Sequence, residues 1–135
     1  MKKPKEIIDL MMAKDYLSQW LGISIENIDY GTCKIKMLVR KEMLNGFEIA
    51  HGGITYCLSD SALAFASNSH GKQCVSIETS ISHTHKVKQG DELTAQSIEL
   101  HRGKKTGIYE VRIHNQNNEL VSLFKGTVFI SDRDW

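Results

Sequence analysis

The stretch Leu44 to Gly71, LNGFEIAHGGITYCLSDSALAFASNSHG, decides how the chain is read. A polar loop and two glycines lead into an apolar segment of helical period that holds one carboxylate, Asp60. A helix is expected from Ile54 to about Asn68. Its residues Ile54, Cys57, Leu58, Ala62, Leu63, Ala64, Phe65 and Ala66 cover nearly the whole circumference, as in a helix buried on most sides. An unpaired carboxylate there is costly in its charged form, so Asp60 needs a partner, an opening to solvent or a use.

The glycines let a ligand approach the backbone, and the free N–H groups of a first helical turn favour anions. Gly53 is therefore the candidate oxyanion donor. Seven residues separate Gly53 from Asp60, roughly two turns or about 10 Å of rise. One carbonyl cannot touch both. The spacing points to a site completed by a second copy of the chain.

Around this centre lie 135 residues with a net charge of +1, 41% hydrophobic residues and one proline. That size suits one domain, residues 1–135, which can bury a core without metal or disulfide staples. Cys33, Cys57 and Cys74 show no CxxC spacing and no signal peptide is recognised, so the thiols are expected reduced and the protein cytoplasmic. No apolar run approaches the ~20 residues of a membrane span. Balanced charge without interleaved aromatics argues against nucleic acid.

Ile7 to Leu21 reads as one packing helix with apolar residues at Ile7, Leu10, Met11, Leu17, Trp20 and Leu21, ended by Gly22. The period then becomes two. A short strand around Ile23 to Tyr30 turns at Gly31 and Thr32 into Cys33, Ile35, Met37 and Val39, which alternate with solvated Lys34, Lys36 and Arg40. After the central helix, Val75, Ile77, Thr79, Ile81, His83 and His85 read as one face of a long strand. Glu92 to about His101, a strand holding Ile108, Val111 and Ile113, and Leu120 to Ile130 follow as hairpin-linked strands. Four final strands without helices between them argue for an antiparallel sheet curled around the long helix.

The series LNG, HGG, LSDSALAFASNS and RGKKTGIYEV resembles the hotdog-fold acyl-CoA thioesterases, in particular their phenylacetate-degradation branch, over the whole chain after the first helix. The resemblance implies an α+β fold in which a six-stranded antiparallel sheet wraps one helix. It implies dimers, often paired into tetramers, with each active site at the dimer interface. Gly53 would offer its N–H to the thioester carbonyl, Asp60 of the other subunit would be general base or nucleophile, and Asn45 would be the polar residue near the reacting centre. His85-Lys86 stands where relatives often have Arg-Pro, a position that faces the pocket or its rim in the family, so His85 is a substrate-binding candidate and substrate choice transfers least. Coenzyme A is then part of the substrate, and no other cofactor is expected.

Further candidates take their place beside these. His51 either shapes the turn before the helix or assists at the thioester. His83 and His85 have the spacing of two metal ligands, but nothing with metal-site spacing completes the set, so no metal is expected. Cys57, one turn before Asp60, lacks a basic neighbour that would make it a nucleophile. Arg102, Gly103, Lys104, Lys105 and Thr106 form a basic hairpin suited to the nucleotide phosphates of coenzyme A. Hydrolysis of an acyl-CoA is the leading function. The alternatives are a hotdog hydratase or dehydratase, and an acyl-CoA-binding regulator without turnover.

Overall fold

The central helix, α3, spans Gly52–Asn68 in a computed structural model that describes residues 1–135, and begins two residues before the sequence suggests. Its N-cap is His51, whose ring accepts the Gly53 N–H. Ahead of it come α1 (Pro4–Met12), α2 (Tyr16–Leu21), β1 (Ser24–Asp29) and β2 (Thr32–Leu38). After it come β3 (Lys72–His83), β4 (Glu92–Arg102), β5 (Thr106–His114) and β6 (Leu120–Asp134).

The single N-terminal helix expected from the apolar stripe is two helices. Asp15 breaks it by accepting the Ser18 N–H at 3.0 Å and the Ser18 hydroxyl at 2.7 Å, because an aspartate at this offset caps a new helix better than it continues an old one. Gly22 ends α2 with φ +72°, a left-handed cap at which glycine carries no Cβ penalty. Ser18 then meets Ser61 at 2.8 Å, which fixes α2 on α3.

The six strands form one antiparallel sheet in the order β1-β2-β4-β5-β6-β3, as the hotdog resemblance implies. α3 fills its concave face. Leu58, Ala62, Leu63, Phe65 and Ala66 pack there against Ile35, Ala95, Val111, Phe124 and Val128, all buried. Small residues set the spacing. A Cβ on Gly126 would come within 2.5 Å of Leu63 and 3.2 Å of Phe124, so the helix rests on bare backbone at β6.

Two bulges alter the alternation read from the sequence. One, between Ser76 and Glu78 of β3, divides the expected face. Cys74 and Ser76 oppose the buried Ile130 and Val128, whereas Val75 pairs with Phe129 on the outer side and is 64% exposed. Only from Thr79 on do odd-numbered residues face α3, and Thr79 there meets the Tyr56 hydroxyl. His85 lies beyond the strand altogether. The second bulge, between Glu99 and His101 of β4, reverses the parity so that both Glu99 and Arg102 turn inward.

Gly126→Ala is expected to cost about 1–3 kcal/mol by overpacking, and Leu63→Ala about 2–5 kcal/mol by leaving a cavity. The added methyl group fills part of the space that the leucine vacates. Urea unfolding of both single variants and the double variant should therefore show a double-variant cost below the sum.

Candidate active site

Asp60 lies in the middle of α3, half-buried, and lines a cavity of about 250 Å³ with Leu63, Ala64, Ser67, Cys74 and Val128 among its neighbours. No donor of the chain reaches its carboxylate. The adjacent Ser61 hydroxyl is committed to Ser18 at 2.8 Å, and Asn68, about two turns further along α3, binds the carbonyls of Ala64 and Cys74 at 2.8 and 3.2 Å. Burial first, and then the Asp15 carboxylate, push the Asp60 carboxyl above its ordinary value. Cys57, one turn earlier, is pushed up as well, by burial and then by Asp60. That environment disfavours a cysteine thiolate and favours a carboxylate able to take a proton.

Gly53 stands at the other end of the span. Its N–H donates to His51 Nδ1 at 2.9 Å, so His51 both caps the helix and occupies the candidate oxyanion donor. The bond requires a neutral ring with its proton on Nε2. This turn borders a second cavity, of about 430 Å³, lined by Asn45, Gly52, Thr55, His83 and His85 among others. Asn45 builds its loop: its Oδ1 accepts the N–H groups of Phe47 at 2.9 Å and Ile49 at 3.4 Å. The Asn45 amide nitrogen keeps its donors free beside the cavity.

Asp60 and the Gly53 turn thus line different cavities of one chain, in keeping with the two turns of helix between them. Two residues that the sequence reading did not place in the site also appear there. Thr55 donates to the Gly52 carbonyl at 3.1 Å and meets His83 Nδ1 at 3.3 Å. A Cβ on Gly52 would come within 3.2 Å of His83 Nε2, so glycine lets the imidazole approach the helix start. The period-two run through His83 to His85 was the available signal.

Of the remaining candidates, His85 lines the same cavity as His83 and is held by the Lys86 carbonyl at 2.7 Å and Glu119 at 3.0 Å. No group of three His, Cys, Asp or Glu residues is gathered as metal ligands would be. In the basic hairpin, the Gly103 N–H closes the turn on the Thr106 carbonyl at 2.8 Å. Lys104 is exposed, Lys105 reaches Asp132 at 3.4 Å, and Thr106 is exposed at the start of β5. Arg102 points inward instead, donating to the Ser67 carbonyl and the Tyr109 hydroxyl at 3.0 Å each. Its side chain is 17% exposed.

The thioesterase superfamily model matches residues 47–122, from the loop before α3 into β6. The chain belongs to that superfamily. It is similar to the acyl-coenzyme A thioesterase PaaI of Escherichia coli, 39% identical over 86% of this chain and 83% of that one. It is also 38% identical to a putative esterase of Archaeoglobus fulgidus, over 97% of this chain and 85% of the relative. The structure of E. coli PaaI, from the phenylacetic acid degradation operon, superposes with a TM-score of 0.95 at 34% identity, covering 97% of this chain and 95% of that one. A Streptococcus mutans protein solved with acetyl-CoA bound gives 0.81 at 26% identity, over 84% of this chain and 91% of that one. The chain is a hotdog-fold thioester hydrolase.

The direction of the Asp60 shift has a consequence for stability. A carboxyl raised in the folded state adds stability that is fully present below the unfolded value, about 3.9, and lost as pH rises through the folded one. Asp60→Asn removes the burden of a charged group. The variant should melt above the parent at pH 7, with the gain shrinking steadily as pH falls toward 4. Thermal melts of both proteins across that range test it, and a gain independent of pH would contradict it.

Proposed function

We propose that the protein hydrolyses an acyl-CoA to a free acid and coenzyme A, with Asp60 as the general base. The carrying observation is a half-buried carboxylate without a hydrogen-bond partner, raised above its ordinary value, at the wall of an apolar cavity. A base tuned toward the working pH is the effective one. Water, losing a proton to Asp60, attacks the thioester carbon. The carbonyl oxygen takes up the charge on the Gly53 N–H, in place of His51 Nδ1, with the free Asn45 amide beside it. The carbon–sulfur bond then breaks, and the proton passes to the departing CoA thiolate. The acyl-CoA assignment is supported by the name of the E. coli relative and by the acetyl-CoA bound in the S. mutans protein. Coenzyme A belongs to the substrate, and the reading uses no further cofactor and no metal.

In this reading Gly53 and Asp60 come from two copies of the chain. Two sheet edges are open, and they differ. β1 is short, bulged between Ile25 and Asn27, and carries Glu26 and Asp29, a protected edge. β3 has twelve residues and leaves Val75 and Ile77 64% and 60% exposed. Pairing of β3 with its twofold mate makes the dimer. Exposed Ile98 and Phe129 on the outer face then give two dimers a surface on which to form a tetramer. Three free cysteines suit a reducing compartment, the cytoplasm. Lys104 and Lys105, with the Gly103–Thr106 turn beneath them, hold the nucleotide phosphates.

Asp60→Asn is expected to keep fold and CoA binding while losing about 10²- to 10⁴-fold in kcat. Turnover within about threefold of the parent would leave a binding protein instead. Refolding that variant together with Gly53→Pro, which lacks the donor, tests the shared site. Half of the random dimers are mixed, each with one intact site, so roughly a quarter of the parent's activity should return. A mixture as inactive as its components places both groups in one chain. Separately, Lys104→Ala with Lys105→Ala should raise KM for acyl-CoA more than for an acyl-pantetheine thioester, by a margin that narrows with salt. Equal effects on both substrates would take the hairpin off the nucleotide.

A further inference from the structure

The cavity beside Asp60 runs along α3 between Leu63, Ala64 and Ser67 on the helix and Cys74 and Val128 on the sheet, and Asp60 is its one charged lining residue. Seven residues separate Asp60 from Ser67, about 10 Å of helical rise. At Ser67 the wall is tied down. The Ser67 carbonyl accepts the Cys74 thiol at 3.4 Å and an Arg102 guanidinium N–H at 3.0 Å. Arg102 is held in turn by the Tyr109 hydroxyl at 3.0 Å, and Tyr109 donates to Glu99 at 2.8 Å. Glu99 is also paired with His70 at 3.0 Å. These linked polar groups, partly buried behind the cavity, brace the wall at Ser67.

We propose that this cavity receives the acyl group and that Cys74, braced at Ser67 by Arg102, sets the length accepted. The proposal rests on the thioesterase reading above. A cavity of about 150 Å³ holds one benzene ring, so about 250 Å³ takes a single ring with a short arm. For a straight chain, bonds of about 1.5 Å near the tetrahedral angle advance about 1.25 Å each, so ~10 Å admits about eight carbons. Longer chains meet the Cys74–Ser67 wall. Arg102 is then a positioning residue of the acyl end, acting through Ser67, and not a ligand of the nucleotide.

The test is kcat/KM for acetyl-, butyryl-, octanoyl- and dodecanoyl-CoA with the parent, Cys74→Leu, Ala64→Leu and Arg102→Gln. The two leucine variants fill the cavity from opposite walls, and each should lower the octanoyl-to-acetyl ratio at least about tenfold, the scale on which a hydrophobic pocket discriminates size. Arg102→Gln, which loosens the wall, should raise the dodecanoyl-to-acetyl ratio at least about threefold and leave the acyl-CoA to acyl-pantetheine KM ratio as it was. Should Cys74→Leu fail to fold, Ala64→Leu decides. Equal changes at every acyl length overturn the proposal, as does an Arg102→Gln effect confined to the CoA-to-pantetheine ratio. A parent protein that cleaves neither these four nor phenylacetyl-CoA overturns the acyl-CoA reading itself, a different outcome.

Discussion

Leu63 of α3 rests against the bare backbone of Gly126, and the rest of the structure follows from how closely the helix can sit on the sheet. Ala62 and Ala66 on the helix and Ala95 and Gly126 on the strands shorten that distance. A sheet can curl around a helix only if the contact at its centre is thin and the sides are filled by larger groups. Phe65, Phe124 and Tyr109 supply those sides, each fully buried. With the helix wedged in this way, a side chain projecting from its middle is held rigidly. Catalysis gains from such rigidity because a positioned base need not be reorganised during the reaction.

Asp60 is where this rigidity works against stability. It takes part in no hydrogen bond, although Ser61 stands next to it on the helix. The Ser61 hydroxyl is turned to Ser18, a bond that fixes α2 on α3 and leaves the carboxylate unsatisfied. The same isolation that destabilises the charged form makes it a better base. A neighbouring carboxylate at Asp15, itself the cap of α2, acts in the same direction. The residue that causes the break between α1 and α2 thus also bears on the proposed base.

The order of the strands, the long helix and the turns were legible in the sequence because they depend on local period and on turn residues, whereas β3 stops before the expected His85 and β6 runs past the expected Ile130 to Asp134. The two N-terminal helices were not separated, although Asp15 followed by Ser18 carries the capping signal, because the apolar stripe continues in phase across the break. The bulges were invisible to alternation. One extra residue in β3 sent Val75 outward, and another in β4 sent Arg102 inward. Both positions obey the alternation of their half of the strand, and which half they belong to is fixed by the partner strand. Asp60 and Gly53 were singled out because a carboxylate and a glycine are uncommon choices in their surroundings, and Asn45 through the resemblance of the LNG run. His83 and Thr55 were not placed in the site, since their meeting depends on how α3 starts relative to the end of β3.

In the proposed mechanism, the distribution of donors and acceptors makes one copy of the chain an incomplete catalyst. Helix geometry places the Gly53 N–H and the Asp60 carboxylate about 10 Å apart, and the seating of α3 forbids bending that would bring them together. In the free chain the donor is satisfied internally by His51, which spares the helix an orphan N–H. The acceptor has no such substitute. A carbonyl that reaches Gly53 exchanges one hydrogen bond for another, so ground-state binding gains little from that contact. The oxyanion, with its full charge, gains more from the N–H than neutral imidazole did. With Gly53 as the proposed oxyanion donor, discrimination between substrate and transition state is built into the capping bond at the start of α3.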